Sequence, residues 1–277
     1  MLFLALLHPV AVIEWWRWSI HPSTVIGIGA LAALYLWAAY RIRRKPTPAQ
    51  QLCFFSGLFV MFASLNGPVH DLSDGYLFSA HMVQHLILTL LMAPLLIAGV
   101  PDWMLRPALA NRFVAAAARF FTRAPVAFLV FNVVIAAWHL PPLYNAALAN
   151  HDVHILQHVM LMVAAVLMWW PLMSPLPELP RLAYPGQMLY SWLMTIPMTI
   201  IAIYIAMADS VLYPAYASAP RFFALSPLDD QLLGALIMWI PGGIVFYIIM
   251  TVIFFRWNAR GEDSTAGAQV DWKPSTA

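Results

Sequence analysis

Charge is scarce in this chain: Asp, Glu, Lys and Arg make up 9% of its 277 residues, against roughly a quarter of a soluble domain. A water-soluble fold is excluded by that shortage. Cysteine is scarcer still. With Cys53 alone, no disulfide framework and no thiolate metal cluster can form within the chain. The apolar segment from Met1 to Ile13 is short, carries Pro9 and lacks the basic start of a cleavable signal peptide. With Trp15, Trp16 and Trp18 it reads, over residues 1–22, as a lead-in lying at a membrane interface. The net charge of +2 says little until its residues are placed, and no nucleic-acid partner is expected.

What the chain does have is apolar length: 62% apolar residues and a mean hydropathy of +0.76. Seven stretches are long enough to cross about 30 Å of hydrocarbon as helices. They lie near residues 23–40, 49–69, 77–99, 124–140, 152–173, 184–208 and 229–256. Long runs without two-residue alternation exclude a barrel. The fold class is therefore all-α, a seven-span transmembrane bundle over residues 23–256, with a small-residue tail over 257–277 expected to be disordered from Gly261.

The basic residues orient this bundle. Arg41, Arg43, Arg44 and Lys45 follow the first span, and Arg106, Arg112, Arg119 and Arg123 follow the third. Arg181, Arg256, Arg260 and Lys273 fall on the same side, and only Arg17 and Arg221 on the other. Twelve of the fourteen then obey the positive-inside rule with the N-terminus outside and the C-terminus cytoplasmic. The stretch from Pro101 to Arg123 suits an amphipathic helix on the cytoplasmic surface. All nine histidines fall towards the outer side.

Those histidines are patterned. His81-Met-Val-Gln-His85 and His154-Ile-Leu-Gln-His158 each open a long apolar run, and residues four apart share a helix face. His70 precedes the first pattern by eleven positions and His139 the second by fifteen, a difference of about one helical turn. A duplicated helix pair explains both. A third, ligand-free copy is readable in spans six and seven: Gln231 stands ten residues before Pro241, as Gln84 stands ten before Pro94. The architecture expected is one leading helix and three repeated pairs.

One histidine on a membrane helix is most often a hydrogen-bonded packing residue, but six at matching places form a candidate metal site: His70, His81, His85, His139, His154 and His158. Imidazole suits copper, zinc, nickel and iron, and methionines near the patterns (Met61, Met82, Met160) favour Cu(I), although methionine is also a common core filler. Asp71 and Asp74 stand close by, either orienting imidazoles or simply solvated. A zinc protease needs a carboxylate after the first histidine, where Met82 and Ile155 stand. Haem is the stronger rival, yet two histidines on one face cannot take opposite axial positions. A copper transporter is a third reading, weakened by the few polar residues (Ser56, Ser191, Thr195) in the inner halves of the spans. His8 and His21 lie outside the repeated pairs and are expected to contribute little.

The chain resembles the multi-span CtaG family of cytochrome c oxidase assembly factors from about Asn66 to Trp239. The likeness rests on Ser79-Ala80-His81-Met82-Val83-Gln84-His85, Pro94-Leu95-Leu96 with Gly99 and Pro101, and Trp138-His139-Leu140-Pro141. Val153-His154 with Gln157-His158, Trp169-Trp170-Pro171-Leu172, Asp230-Gln231 and Met238-Trp239 complete it. The resemblance implies a non-enzymatic protein of the bacterial plasma membrane that handles copper during maturation of a haem-copper oxidase. Its partners would be oxidase subunits or their copper-delivery proteins. By the same resemblance His81 and His154 are the foremost ligands, followed by His139, His70, His158 and His85.

Overall fold

The computed structural model describes residues 18–220 and 224–270, the last ten of these as backbone alone. Ten helices carry the architecture: α1 Pro22–Ile42, α2 Pro48–Leu65, α3 Gly67–Gly75, α4 Phe78–Gly99 and α5 Arg112–Phe121. They continue as α6 Ala124–His139, α7 Pro141–Ala149, α8 His151–Met173, α9 Tyr184–Ala206 and α10 Pro227–Val270. No strand occurs among the described residues. Their starts are marked locally. Proline opens α1, α2, α6 and α9, where the missing N–H costs nothing, and Thr47 with Gln50 forms a reciprocal capping box on α2. Asn111 and Asn150 accept the first free N–H groups of α5 and α8.

Six helices are long and apolar enough to cross a membrane, and α6 makes a seventh if it is counted with α5, from which it is bent by 74°. At 16 residues α6 spans about 24 Å. The amphipathic helix expected before it is α5, with Ala115 buried and Phe113, Val114, Phe120 and Phe121 exposed.

The repeated pairs are visible as packed hairpins: α2 with α4, α6 with α8, and α9 with α10. One interaction recurs within them. Gln84 of α4 donates its amide to the carbonyl of Ser64, one residue before the end of α2, and Gln231 of α10 donates to the carbonyl of Ile205, one residue before the end of α9. Each glutamine thus satisfies a carbonyl that the end of a helix leaves free. In the second pair the equivalent Gln157 is buried and its amide nitrogen has no partner among the described residues.

Two features of α4 set how its histidines sit. Residues Ile87–Met92 adopt the wider π-helical winding, which turns everything beyond His85 relative to an α-helix. Thr89, inside that stretch, bonds the carbonyl of His85 through its hydroxyl, and its own carbonyl accepts the indole N–H of Trp169 from α8. At the other end of α4, Gly99 lies against α2 so closely that a Cβ would come within 2.4 Å of the Phe54 backbone nitrogen. Small size, not backbone freedom, is what that position requires.

The two ends of the chain depart from the expectations. Residues 1–17 of the lead-in, including His8, lie outside the described residues. Trp18 to His21 are pinned to the bundle. Trp18 stacks on Phe62, Ser19 donates to Asp71 at 2.6 Å, and the backbone N–H of His21 bonds the Asn66 side chain at 2.8 Å. At the other end, α10 continues to Val270, ten residues into the segment expected to lack structure from Gly261. The absence of proline between Arg256 and Val270 allows that continuation. Residues 271–277 lie outside the described part.

Candidate metal centre

The site is built from short helix α3 upward. Gly67 takes φ 67° between α2 and α3, a left-handed conformation suited to glycine, and its N–H bonds the carbonyl of Ser19. The turn brings His70 and Asp74 together on one face of α3, with His70 Nε2 3.2 Å from Asp74 Oδ2. Gln84 orients the ring. Its amide nitrogen faces the Ser64 carbonyl, while its Oε1 accepts from the Ser73 hydroxyl at 3.0 Å. The same amide lies 3.1 Å from His70 Nδ1 and orients the ring with Nε2 directed at Asp74. Burial pushes His70 down to about 4, with Asp74 opposing, so the ring is neutral at pH 7.

Helix α8 completes this group. His154 Nε2 lies 3.3 Å from Asp74 Oδ2 and 2.8 Å from His158 Nε2. One donor atom from each of His70, Asp74, His154 and His158 falls within 4.8 Å of all the others, a spacing that one metal ion can bridge. Of the two nearby carboxylates, Asp74 is thus part of the group, whereas Asp71 accepts from Ser19.

A second set lies beside it. His81 and His85 of α4 have ring centres 4.1 Å apart, His85 and His139 5.7 Å, and His158 stands 6.2 Å from His81 and 5.9 Å from His85. All six candidates from the sequence therefore meet in one cluster, and all are buried. His139 is held by a 2.6 Å bond from Nδ1 to the Ile135 carbonyl, which places its proton there and leaves Nε2 as a bare lone pair. Among the described residues, no ring nitrogen of His81 or His85 has a hydrogen-bond partner, nor does His139 Nε2.

Sequence spacing missed two members. His21, placed outside the repeated pairs, packs edge-on against His70 with ring centres 4.6 Å apart, and His151 stacks on His21 at 5.9 Å. His21 reaches the cluster because the segment before α1 is folded across Asn66 to Asp71, a long-range contact that no local pattern encodes. Together these rings line a cavity of about 120 Å³ between α1, α2, α3 and α8, with Met61 and Met162 on its walls. Of the three methionines singled out in the sequence, only Met61 is placed there. Met82 packs in the apolar core and Met160 is exposed on the surface of α8.

Two further supports hold the centre. Asp230, fully buried at the start of α10, accepts from the backbone N–H groups of Phe78 at 2.7 Å and Ser79 at 3.2 Å and from the Ser79 hydroxyl. It caps the first turn of the helix that carries His81 and His85. A tyrosine cluster closes the far side: Tyr144 donates to Tyr216 at 2.9 Å, Tyr216 donates to the Ser73 carbonyl, and Tyr213 donates to the carbonyl of His139. Burial pushes these three phenols above their ordinary range, so they remain protonated donors.

An all-helical bundle of membrane-spanning length with a buried histidine and aspartate cluster at one end defines a polytopic membrane protein with a candidate metal centre. Residues 33–260 match the family described as cytochrome c oxidase caa3 assembly factor, Caa3_CtaG, and the chain belongs to that family. The match encloses all six histidine candidates and Asp74, but not His21. No curated protein and no solved structure matches the chain.

Proposed function

We propose that this protein is a non-enzymatic copper-binding assembly factor that receives copper at its histidine cluster and supports its insertion into a haem-copper cytochrome c oxidase. The observation that carries this reading is the convergence of His70, Asp74, His154 and His158 donor atoms within 4.8 Å, in a chain of the oxidase assembly family. Three imidazoles and one carboxylate suit a borderline or soft transition ion, and hard cations want more oxygen donors. The thioethers of Met61 and Met162 on the cavity wall add a preference for Cu(I). His21 and His151 at the same cavity offer an arriving ion its first imidazoles. Copper is cargo here, handed on to oxidase subunits or to their copper-delivery proteins, and the chain needs to catalyse nothing.

The cavity of about 120 Å³ is well below the roughly 300–1,000 Å³ of small-molecule sites, which disfavours haem. A route through the bilayer is disfavoured by the packing beyond the cluster, where Leu161, Ala164, Ala165 and Met168 are fully buried. Metal analysis with an optical spectrum of the purified protein tests the reading. Copper at one or more ions per chain without a Soret band is expected, and a Soret band with stoichiometric iron overturns it.

The cluster faces the outside of a bacterial plasma membrane in this proposal, because the arginine-rich connections lie at the opposite end of the bundle. A periplasm-active reporter fused after Asn150 is expected to be active and one fused after Arg256 inactive. The reverse result overturns the orientation.

A further inference from the structure

We infer that the cluster holds two separate metal sites, and that the second, formed by His81, His85 and His139, takes a monovalent soft ion. The inference rests on the copper reading above and divides its cluster by chemistry. The group at His70 includes the Asp74 carboxylate and is already tied together by short polar contacts. The other three residues are different. Each is at most 4% exposed, no carboxylate contacts them, and five of their six ring nitrogens have no partner among the described residues. An unpaired buried polar group costs about 1–3 kcal/mol, and five of them in one place need a ligand to balance them.

Geometry and protonation agree. An imidazole centre lies about 3.2 Å from an ion its nitrogen binds, so two ligands of one ion have centres at most about 6.4 Å apart. His81 to His85 at 4.1 Å and His85 to His139 at 5.7 Å satisfy that limit, with His85 the ring shared by the two pairs. His139 is set as a ligand beforehand, since its Nδ1 proton is committed to the Ile135 carbonyl and Nε2 is left bare. Charge decides the kind of ion. Three neutral imidazoles supply no compensating negative charge, and the cost of charge in an apolar interior grows as its square, so a monovalent ion pays about a quarter of the divalent cost. Among ions that favour imidazole, Cu(I) is the monovalent one. His158 lies between the two sites, its Nε2 on His154 and its Nδ1 buried without a partner, with ring centres 5.9 Å from His85 and 6.1 Å from His70. An ion at the His70 group therefore has a neighbouring site one histidine ring away.

The test is anaerobic titration of the purified full chain in detergent with Cu(I), in competition with a chromophoric Cu(I) chelator. Two ions per chain are expected for the parent. His85→Ala and His139→Ala should each bind one, and His70→Ala should also bind one, the retained ion showing that each variant is folded. X-ray absorption of His70→Ala should then show nitrogen ligands only. One ion per chain, undiminished in His85→Ala and His139→Ala, overturns the second site and leaves the copper reading standing. Loss of all copper in His85→Ala, in a protein that elutes like the parent, overturns it as well by making the cluster a single centre. No Cu(I) bound to the parent overturns both.

Discussion

His158→Phe is expected to empty the His70 group of its copper. The ring of His158 touches both halves of the cluster, through Nε2 to His154 and by its packing against His81 and His85. Phenylalanine keeps a ring of similar size and removes both nitrogens, so lost binding is separated from lost packing. Changing a partner that only orients a ligand already costs 10–100-fold in metal affinity, and removing a donor in the centre of the group should exceed about 100-fold. Copper retained after dialysis against a weak chelator should fall to about half of the parent's, the ion at His81, His85 and His139 remaining, since each tenfold loss of affinity at the first site is about 1.4 kcal/mol. In cells, assembled oxidase activity should fall with it, and added copper should restore part of the loss. A His158→Phe protein with parental copper content would show that the imidazoles are packing residues.

Asp230→Ala should have the largest effect on stability of any single change far from the metal centre in sequence. Three donors, the N–H groups of Phe78 and Ser79 and the Ser79 hydroxyl, converge on this one buried carboxylate. Alanine leaves all three unpaired in an apolar setting, at about 1–3 kcal/mol each, partly relieved by local rearrangement. A net loss of about 3–5 kcal/mol corresponds to a fall in Tm of roughly 10 °C for a chain of this size. Because the affected turn immediately precedes His81, copper affinity should fall as well. Asp230→Asn, which keeps one acceptor oxygen, should lie between. Thermal unfolding in detergent decides it: an Asp230→Ala protein melting within about 2 °C of the parent would mean that α4 is held by its packing alone.

Local signals in this chain are informative about elements and poor about neighbours. Hydropathy marked every spanning helix, and the four-residue histidine spacing marked the two helices that carry most of the cluster. The repeat of Gln84 and Gln231 was legible too, although its purpose was not. Only the structure shows each amide closing the end of the preceding helix. Asp74 and Asp71 looked alike in sequence, three residues apart on one turn. Their separation into a metal-group member and a tether for Ser19 follows from which face of α3 meets α8. His21 was illegible because nothing near it repeats.

By itself the sequence determined the solvent, the secondary structure and the chemistry on offer. Too little charge for water, helical runs of bilayer length and six imidazoles at helical spacing are all properties of residues within a few turns of one another. Which rings meet was decided by tertiary structure, because it depends on how far each helix is rotated and how closely it approaches the next. The π-helical stretch after His85, the close approach at Gly99, the left-handed turn at Gly67 and the Asp230 cap each set one of those rotations or distances. Together they bring His70, Asp74, His154 and His158 within one ion's reach while leaving five ring nitrogens of His81, His85 and His139 without partners among the described residues.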